Sequence, residues 1–439
     1  MFNPFKRISD QSSTSTEKIQ DFDYLETGVF YFDSACQSLR PEQVIKAQDE
    51  YYHKFNSCGH RVKYKWGEQT DRKIEACRAD LLSLTGKNDK KYTVAFGLNT
   101  TSGINSILMQ ISSAWIQEKG IGSVVTSEIE HNSVFLPSIV FAKKHDLGRK
   151  VLPRNPDGSL KYEIQDIKNA VVILNTTSNI DGRELLNVEK LAIDIHDQGG
   201  ILLLDACQTL SHHPELLEKT DFDALFGSGH KMYGPSVGFS IVKKELLSSL
   251  DCYLIGGSTV QDVSLDDYKL IEDEQELYAR IEPGLQNYAG IIGLGEAIKW
   301  RKEFRFDSKL IQDKLTQVGV DLKALSLKPN QQLQASEYEK VLSHYLHKKL
   351  QNVPNIVVLN PEPSPIVSLH TTKENLDGHK LAMYLSEAGI MSRSGYHCCH
   401  YYLKSKLDLP PLFRISLGLN NTLEQIDYLI EKLSFLINS

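Results

Sequence analysis

From Tyr92 onward, short runs of β-branched and apolar residues alternate with longer amphipathic stretches. The runs are Tyr92 to Phe96, Ser123 to Thr126, Val171 to Leu174, Ile201 to Leu204 and Val237 to Val242. Between them, segments such as Gly103 to Trp115, Val134 to Lys144 and Val188 to Ile195 repeat their apolar positions at helical spacing. Gly182 and the Gly199-Gly200 pair punctuate the pattern. Alternation of this kind predicts an α/β chain, a mostly parallel central sheet sandwiched by helices.

With 439 residues and 41% hydrophobic content, the chain can bury a large core divided among two or three domains. Residues 1–25 read as a polar, mobile arm, because they hold few apolar residues and no sustained period. Residues 26–300 are expected to form the large domain, with about 26–50 free to pack with the small one. After Trp300 a charged stretch from Arg301 to Lys314 marks a change of texture, so 301–439 is expected to be a smaller α+β domain. Its elements are a strand at Ile366 to Leu369, a helix at Leu376 to Ala388, a strand at Phe413 to Leu417 and a closing helix at Thr422 to Ile437, with Thr422 as N-cap.

A formal charge of −7 with both signs interspersed gives no field that would gather nucleic acid or anionic lipid. The N-terminal residues lack the apolar core of a secretory signal, and no apolar run is long enough to span a bilayer, so a soluble cytoplasmic protein is expected. The seven cysteines (36, 58, 77, 207, 252, 398 and 399) are odd in number and lack the paired C-x2-C spacing of a zinc site. Reduced thiols and no metal follow, with all but the Cys398-Cys399 pair read as packing residues.

The most informative segment is Gly227-Ser228-Gly229-His230-Lys231-Met232-Tyr233-Gly234-Pro235, preceded by Asp205 at the end of the run Ile201 to Leu204. A lysine set among hydrogen-bonding groups and glycines, with a carboxylate at a strand end, meets the needs of pyridoxal phosphate. The amine captures the aldehyde and the acid partners the ring nitrogen. Other candidates also fall at strand exits, where open parallel sheets bind ligands. Gly97 to Gly103, with Thr101 and Ser102, offers hydroxyls and free N–H groups at a helix start, which suits a phosphate. His131, in Glu128-Ile129-Glu130-His131-Asn132-Ser133, places an imidazole at another strand-to-helix turn. Asn179 and Gln208 supply amides able to bond a phenolate oxygen.

Taken together, these residues resemble a fold-type I pyridoxal-phosphate enzyme of the class V aminotransferase superfamily, within the SufS-like group of cysteine desulfurases. The likeness runs from about Tyr31 to the C-terminus. It implies that Lys231 binds the cofactor covalently and that Asp205 partners the pyridinium nitrogen. By the same likeness His131 stacks on the ring, Asn179 and Gln208 contact the cofactor hydroxyl, and Thr101, Ser102, Ser228 and His230 cradle the phosphate. Homodimerisation is implied by the family alone.

A second segment, Ser392 to His400, resembles the Arg-x-Gly-His-His-Cys-Ala stretch of SufS-like desulfurases, whose cysteine accepts sulfur; the register selects Cys398. Arg393 and His397 are the nearby basic groups expected to lower the Cys398 pKa, with Cys399 a relay or a bystander. Arg414, in Phe413 to Leu417, resembles the arginine that grips the substrate α-carboxylate, and Asn179 is grouped with it as substrate-binding. The resemblance implies conversion of L-cysteine to L-alanine, with the sulfur left as a persulfide on Cys398 for a possible acceptor protein. Iron–sulfur cluster assembly, tRNA thiolation and another cofactor pathway all stay open. So do other class V reactions (selenocysteine lyase, carbon–sulfur lyase, epimerase, aminotransferase) and a degenerate, non-catalytic sulfur-relay scaffold. Two departures bear on this: Tyr396 replaces the first histidine before the cysteine, and Leu285 replaces a threonine that reaches a phosphate across the family's dimer interface.

Overall fold

The structure is a computed structural model. It describes residues 19–59, 62–323, 325–328, 330–360 and 362–438. These divide into two compact units. The larger comprises Gln43–Ser178 and Glu184–Ile298; the other comprises the chain up to Glu42, Asn179–Arg183 and the segment from Lys299 onward. The division at Ile298/Lys299 falls inside the Tyr288–Glu303 helix, so the change of composition near residue 300 does not mark a break in secondary structure.

Seven strands build the sheet of the larger unit: β1 (Tyr92–Gly97), β2 (Ser123–Ser127), β3 (Gly148–Leu152), β4 (Ala170–Asn175), β5 (Ile201–Asp205), β6 (Ala224–Ser228) and β7 (Gly238–Lys243). Their spatial order is β1-β7-β6-β5-β4-β2-β3. All neighbours are parallel except β7, which runs antiparallel to both β1 and β6. Successive residues of the central strands enter opposite cores. Val172, Leu174, Leu202, Leu204 and Leu225 join one apolar cluster, while Val171, Ile173, Leu203, Ala224 and Phe226 join another. Because side chains alternate across a pleat, an unbroken apolar run is what a strand covered on both faces requires.

Two strands escape the sequence pattern. β3 reads Gly-Arg-Lys-Val-Leu because it lies at the sheet edge and is only partly covered, whereas β6 has only three apolar residues before it ends in Gly227-Ser228. The helix expected from Gly103 to Trp115 is two helices, Thr100–Gln110 and Ser113–Lys119. Ile111 turns extended (φ −76°, ψ 106°), and Ser112 caps the second helix by accepting the Trp115 N–H at 3.2 Å.

In the other unit, a four-stranded antiparallel sheet is formed by β8 (Ile356–Val358), β9 (Ile366–Thr371), β10 (Arg393–Gly395) and β11 (Leu412–Ser416), in the order β8-β9-β11-β10. Phe30–Tyr31 pairs in parallel with Ile390–Met391. The helices Ala335–Leu350, Gly378–Glu387 and Leu423–Asn438 belong to the same unit, and the Thr422 hydroxyl accepts the Gln425 N–H at 3.4 Å ahead of the last of them. Of the arm expected over residues 1–25, residues 1–18 lie outside the described residues. The expectation fails for its last part. Gln20–Phe22 is a 3-10 turn in which Phe22 is 1% exposed and meets the Trp300 ring edge-on at 5.7 Å, so one aromatic anchor outweighs the polar composition around it.

A buried ion pair ties the start of the sheet to the segment that carries Leu285. Arg78 donates to Glu282 through two bonds of 2.9 and 2.8 Å, and Glu282 also accepts the Phe96 N–H at 2.6 Å. Both side chains are nearly inaccessible. Removing one partner leaves the other charge buried and uncompensated. Glu282→Ala is therefore expected to lower stability by about 3–5 kcal/mol, read as the loss in urea-unfolding midpoint; an unchanged midpoint would contradict this role.

Candidate active site

The carboxyl ends of the parallel strands gather the candidate side chains of the larger unit. β1 runs through Leu98 and Asn99 into the Thr100–Gln110 helix, whose N-cap Asn99 accepts the Ser102 N–H at 2.9 Å. Gly238, in register with Gly97, makes this approach possible, since a Cβ there would lie 2.4 Å from Asn99 N. β2 leads through Glu130 to His131, which caps the Asn132–Lys144 helix. Its Nδ1 accepts the Ser133 N–H at 3.1 Å, which leaves Nε2 as the protonated nitrogen of the neutral ring.

β6 ends in Ser228, and the 3-10 turn Gly229–Lys231 follows at once. That turn is held by Gly229 N–H to Val237 O (2.8 Å), Gly234 N–H to Gly229 O (2.9 Å) and the Ser211 hydroxyl on Lys231 O. The half-buried Lys231 thereby projects from a fixed backbone beside the end of β5.

Hydrogen bonds join most of these groups into two short networks that meet at the adjacent residues Thr100 and Thr101. Ser228 Oγ accepts the Thr100 N–H at 3.0 Å and pairs with Thr100 Oγ1 at 3.0 Å. Thr100 Oγ1 lies 2.7 Å from Cys207 Sγ, and the Cys207 N–H donates to Asp205 Oδ1 at 3.1 Å. On the other side, Thr101 Oγ1 meets Ser133 Oγ at 2.6 Å, and Ser133 Oγ meets His131 Nδ1 at 2.8 Å. Burial pushes the Asp205 carboxyl above the usual carboxylate range, while the Lys231 charge and the Cys207 N–H pull it back. Lys231 is thus the cation that Asp205 senses. Gln208 is buried next to this network, and His230 sits half-exposed in the lysine turn.

Other candidates fall in the second unit. Asn179 does so although it follows β4 in the chain. Its Nδ2 donates to His397 O at 2.8 Å, and its Oδ1 accepts Cys399 Sγ–H at 3.2 Å. Cys398 is exposed and Cys399 buried; none of the seven cysteines is in a disulfide. His397 and Cys398 are successive left-handed residues (φ 45° and 58°), a costly conformation for non-glycine side chains.

Arg414 is 2% exposed and already engaged. Its Nη2 donates to Asp33 Oδ1 at 2.9 Å and its Nη1 to Asn179 O at 3.1 Å, while the buried Nε has no hydrogen-bond partner among the described residues. Arg393 contacts Asp33 at 3.6 Å and the Cys36 sulfur. The expectation that His397 would lower the Cys398 pKa is overturned. Burial, reinforced by the charges of Arg414, Arg393 and His379, pushes the imidazole down to about 2, so it carries no charge to lend. Both ring nitrogens of this buried side chain lack a hydrogen-bond partner among the described residues.

Sequence reasoning passed over Cys207, dismissed as packing yet bonded to both Asp205 and Thr100; its place two residues after the strand-end acid was the available signal. It also passed over Glu130, Arg154 and Asn175, which form a buried polar cluster at the ends of β2 and β4. Leu285 is 74% exposed.

A model of the aminotransferase class-V family matches residues 30–326 and 317–429. A cysteine desulfurase of Escherichia fergusonii is 28% identical over 406 residues, covering 91% of each chain, and one of Escherichia coli K12 is equally similar. Among solved structures, an apo cysteine desulfurase from Thermococcus onnurineus NA1 has a TM-score of 0.76 at 27% identity, covering 93% of this chain and 95% of its own. The cysteine desulfurase CsdA of Escherichia coli has a TM-score of 0.77 at 22% identity, covering 100% and 99%, a likeness of fold alone.

Proposed function

We propose that this chain, which belongs to the aminotransferase class-V family, is a pyridoxal-phosphate-dependent cysteine desulfurase that releases L-alanine and keeps the sulfur as a persulfide on Cys398. One observation carries the reading: a fully buried carboxylate at a strand end, Asp205, has as its counter-charge the amine of Lys231 in the turn after the next strand. The surrounding donors fit the same cofactor. Hydroxyls and N–H groups at the start of an eleven-residue helix suit its phosphate, and a neutral imidazole suits its ring.

When bound, the cofactor supplies an electron-withdrawing ring that acidifies the substrate Cα proton. Asp205 would keep the proton on the ring nitrogen, and its burial strengthens that pairing because little solvent screens two opposite charges there. Lys231 Nζ takes and returns the Cα proton. Thr101, Ser102, Ser228 and His230 would hold the phosphate, Gln208 and Asn179 would bond the ring oxygen, and His131 would stack on the ring. Arg414 binds the substrate carboxylate with Asn179 beside it; the Arg414 Nε and His397 nitrogens, which have no hydrogen-bond partner among the described residues, support a polar ligand there.

Cys398 Sγ attacks the substrate sulfur, so that the substrate C–S bond breaks, an S–S bond forms, and the carbon left behind gains a proton. Cysteine plus thiol becomes alanine plus persulfide, with no outside oxidant. We further propose a cytoplasmic homodimer that passes its sulfur to an acceptor protein. Among the described residues no helix is long and apolar enough to cross a membrane.

Holoenzyme incubated with L-cysteine is expected to yield alanine and a mass gain of one sulfur on the peptide bearing Cys398. Pyruvate in place of alanine, or alanine with no sulfur on that peptide, would sink the assignment.

A further inference from the structure

Behind the acid that the cofactor reading assigns to the ring nitrogen lies a second, fully buried ionic cluster that this reading leaves without a task. Glu130 lies in the turn after β2 with its side chain 0% exposed, and Arg154, beyond the end of β3, is 3% exposed; their closest atoms are 3.4 Å apart. Glu130 Oε1 accepts the Ser127 hydroxyl at 2.5 Å and Oε2 accepts the Asn175 N–H at 2.7 Å. Arg154 Nη2 donates to Asn175 O at 2.6 Å and to Asn175 Oδ1 at 2.7 Å, and Nε donates to Ser127 Oγ at 3.2 Å.

Asn175 is the register partner of Asp205 on the neighbouring strand, and Glu130 directly precedes His131. One cluster therefore reaches the backbone beside both cofactor-facing groups. A buried pair of this kind is seldom retained for stability, because apolar side chains of similar volume would pack there at less desolvation cost.

We propose that Glu130 and Arg154 form a positioning pair that sets the charge seen by Asp205 and the placement of His131, and so tunes how tightly the bound cofactor holds its protons. The inference rests on the cofactor reading of Lys231 and Asp205. Its physical basis is a balance of opposite charges in a dry environment, where little solvent screens either one. Burial pushes the Glu130 carboxyl up to about 7, against the pull of Arg154, the Ser127 hydroxyl and the Asn175 N–H, and the Asp205 charge adds to the rise. The other ionisable groups around the pair are Glu128, whose Oε1 accepts the Arg154 N–H at 3.4 Å, His131 next in the chain, and Lys231 and Cys207 across Asp205.

The two members should push in opposite directions. Glu130→Gln keeps an acceptor for only one of the Ser127 hydroxyl and the Asn175 N–H and, above about pH 7, where the native carboxyl is ionised, leaves the Arg154 charge unbalanced, which disfavours protonation nearby. Arg154→Leu removes the cation and favours it. In the purified holoenzymes, the pH midpoint of the cofactor's visible absorption is expected to fall by several tenths of a unit to about one unit in Glu130→Gln. It is expected to rise in Arg154→Leu and to return to the wild-type value in Arg154→Lys. A merely structural pair would not move the midpoint with opposite signs.

Apoprotein unfolding supplies a readout free of cofactor. Native Glu130 holds a proton that the unfolded chain has lost between about pH 4.5 and 7, so wild-type stability should fall with rising pH across that window relative to Glu130→Gln. Should Arg154→Leu not fold, Glu130→Gln and Arg154→Lys decide the matter alone. Coloured variants whose midpoints coincide with wild type overturn the inference and leave the cofactor reading standing. A wild-type chain that takes up no cofactor overturns both.

Discussion

Lys231→Ala is expected to cut alanine formation from L-cysteine by roughly 10²–10⁴-fold from the lost proton transfer alone, and to leave the cofactor bound without a covalent link. Lys231 issues from a turn fixed by Gly229, Gly234 and the Ser211 hydroxyl, so the missing amine is not replaced by a neighbouring chain. The variant should fold as wild type, because only a half-buried side chain is removed. Added small amines should restore part of the rate, since they can supply the base that the truncation deletes. Full activity without them would show that another group takes the Cα proton.

The second large effect belongs to Cys398. Cys398→Ser should bind the cofactor with an unchanged absorption spectrum yet form no persulfide at that position, because a hydroxyl is a poor nucleophile toward sulfur. Cys399 provides an internal control. It is adjacent in sequence but 1% exposed, with its sulfur held on Asn179 Oδ1 at 3.2 Å, so it is not placed to substitute. Persulfide counts by mass spectrometry in Cys398→Ser and Cys399→Ser separate the two thiols. Undiminished sulfur loading in Cys398→Ser would move the acceptor role to Cys399.

The parallel core was legible because strands buried on both faces must be apolar throughout, and Val171 to Leu174 or Ile201 to Leu204 can hardly be read otherwise. β3 was not legible because an edge strand tolerates Arg149 and Lys150, and β6 because its last residues, Gly227 and Ser228, carry no apolar side chain. The clustering of Lys231, Asp205 and His131 at strand exits could be read because each sits amid turn-forming residues after an apolar run. The state of Arg414 could not, since its carboxylate partner Asp33 lies 381 positions away in sequence. The neutral state of His397 was equally hidden; it follows from burial beside Arg393 and Arg414, which local sequence presents only as basic neighbours. The Arg154 to Glu130 contact joins two loops whose composition signals turns and nothing more.

The central claim is that one amine and one acid, Lys231 and Asp205, flank a single pyridoxal phosphate. Borohydride reduction of the purified protein loaded with pyridoxal phosphate, followed by peptide mass spectrometry, tests it most directly. A single phosphopyridoxyl adduct on the peptide carrying Lys231, absent from Lys231→Ala, is the expected result. An adduct on a different lysine, or none in a protein that otherwise folds, would contradict it.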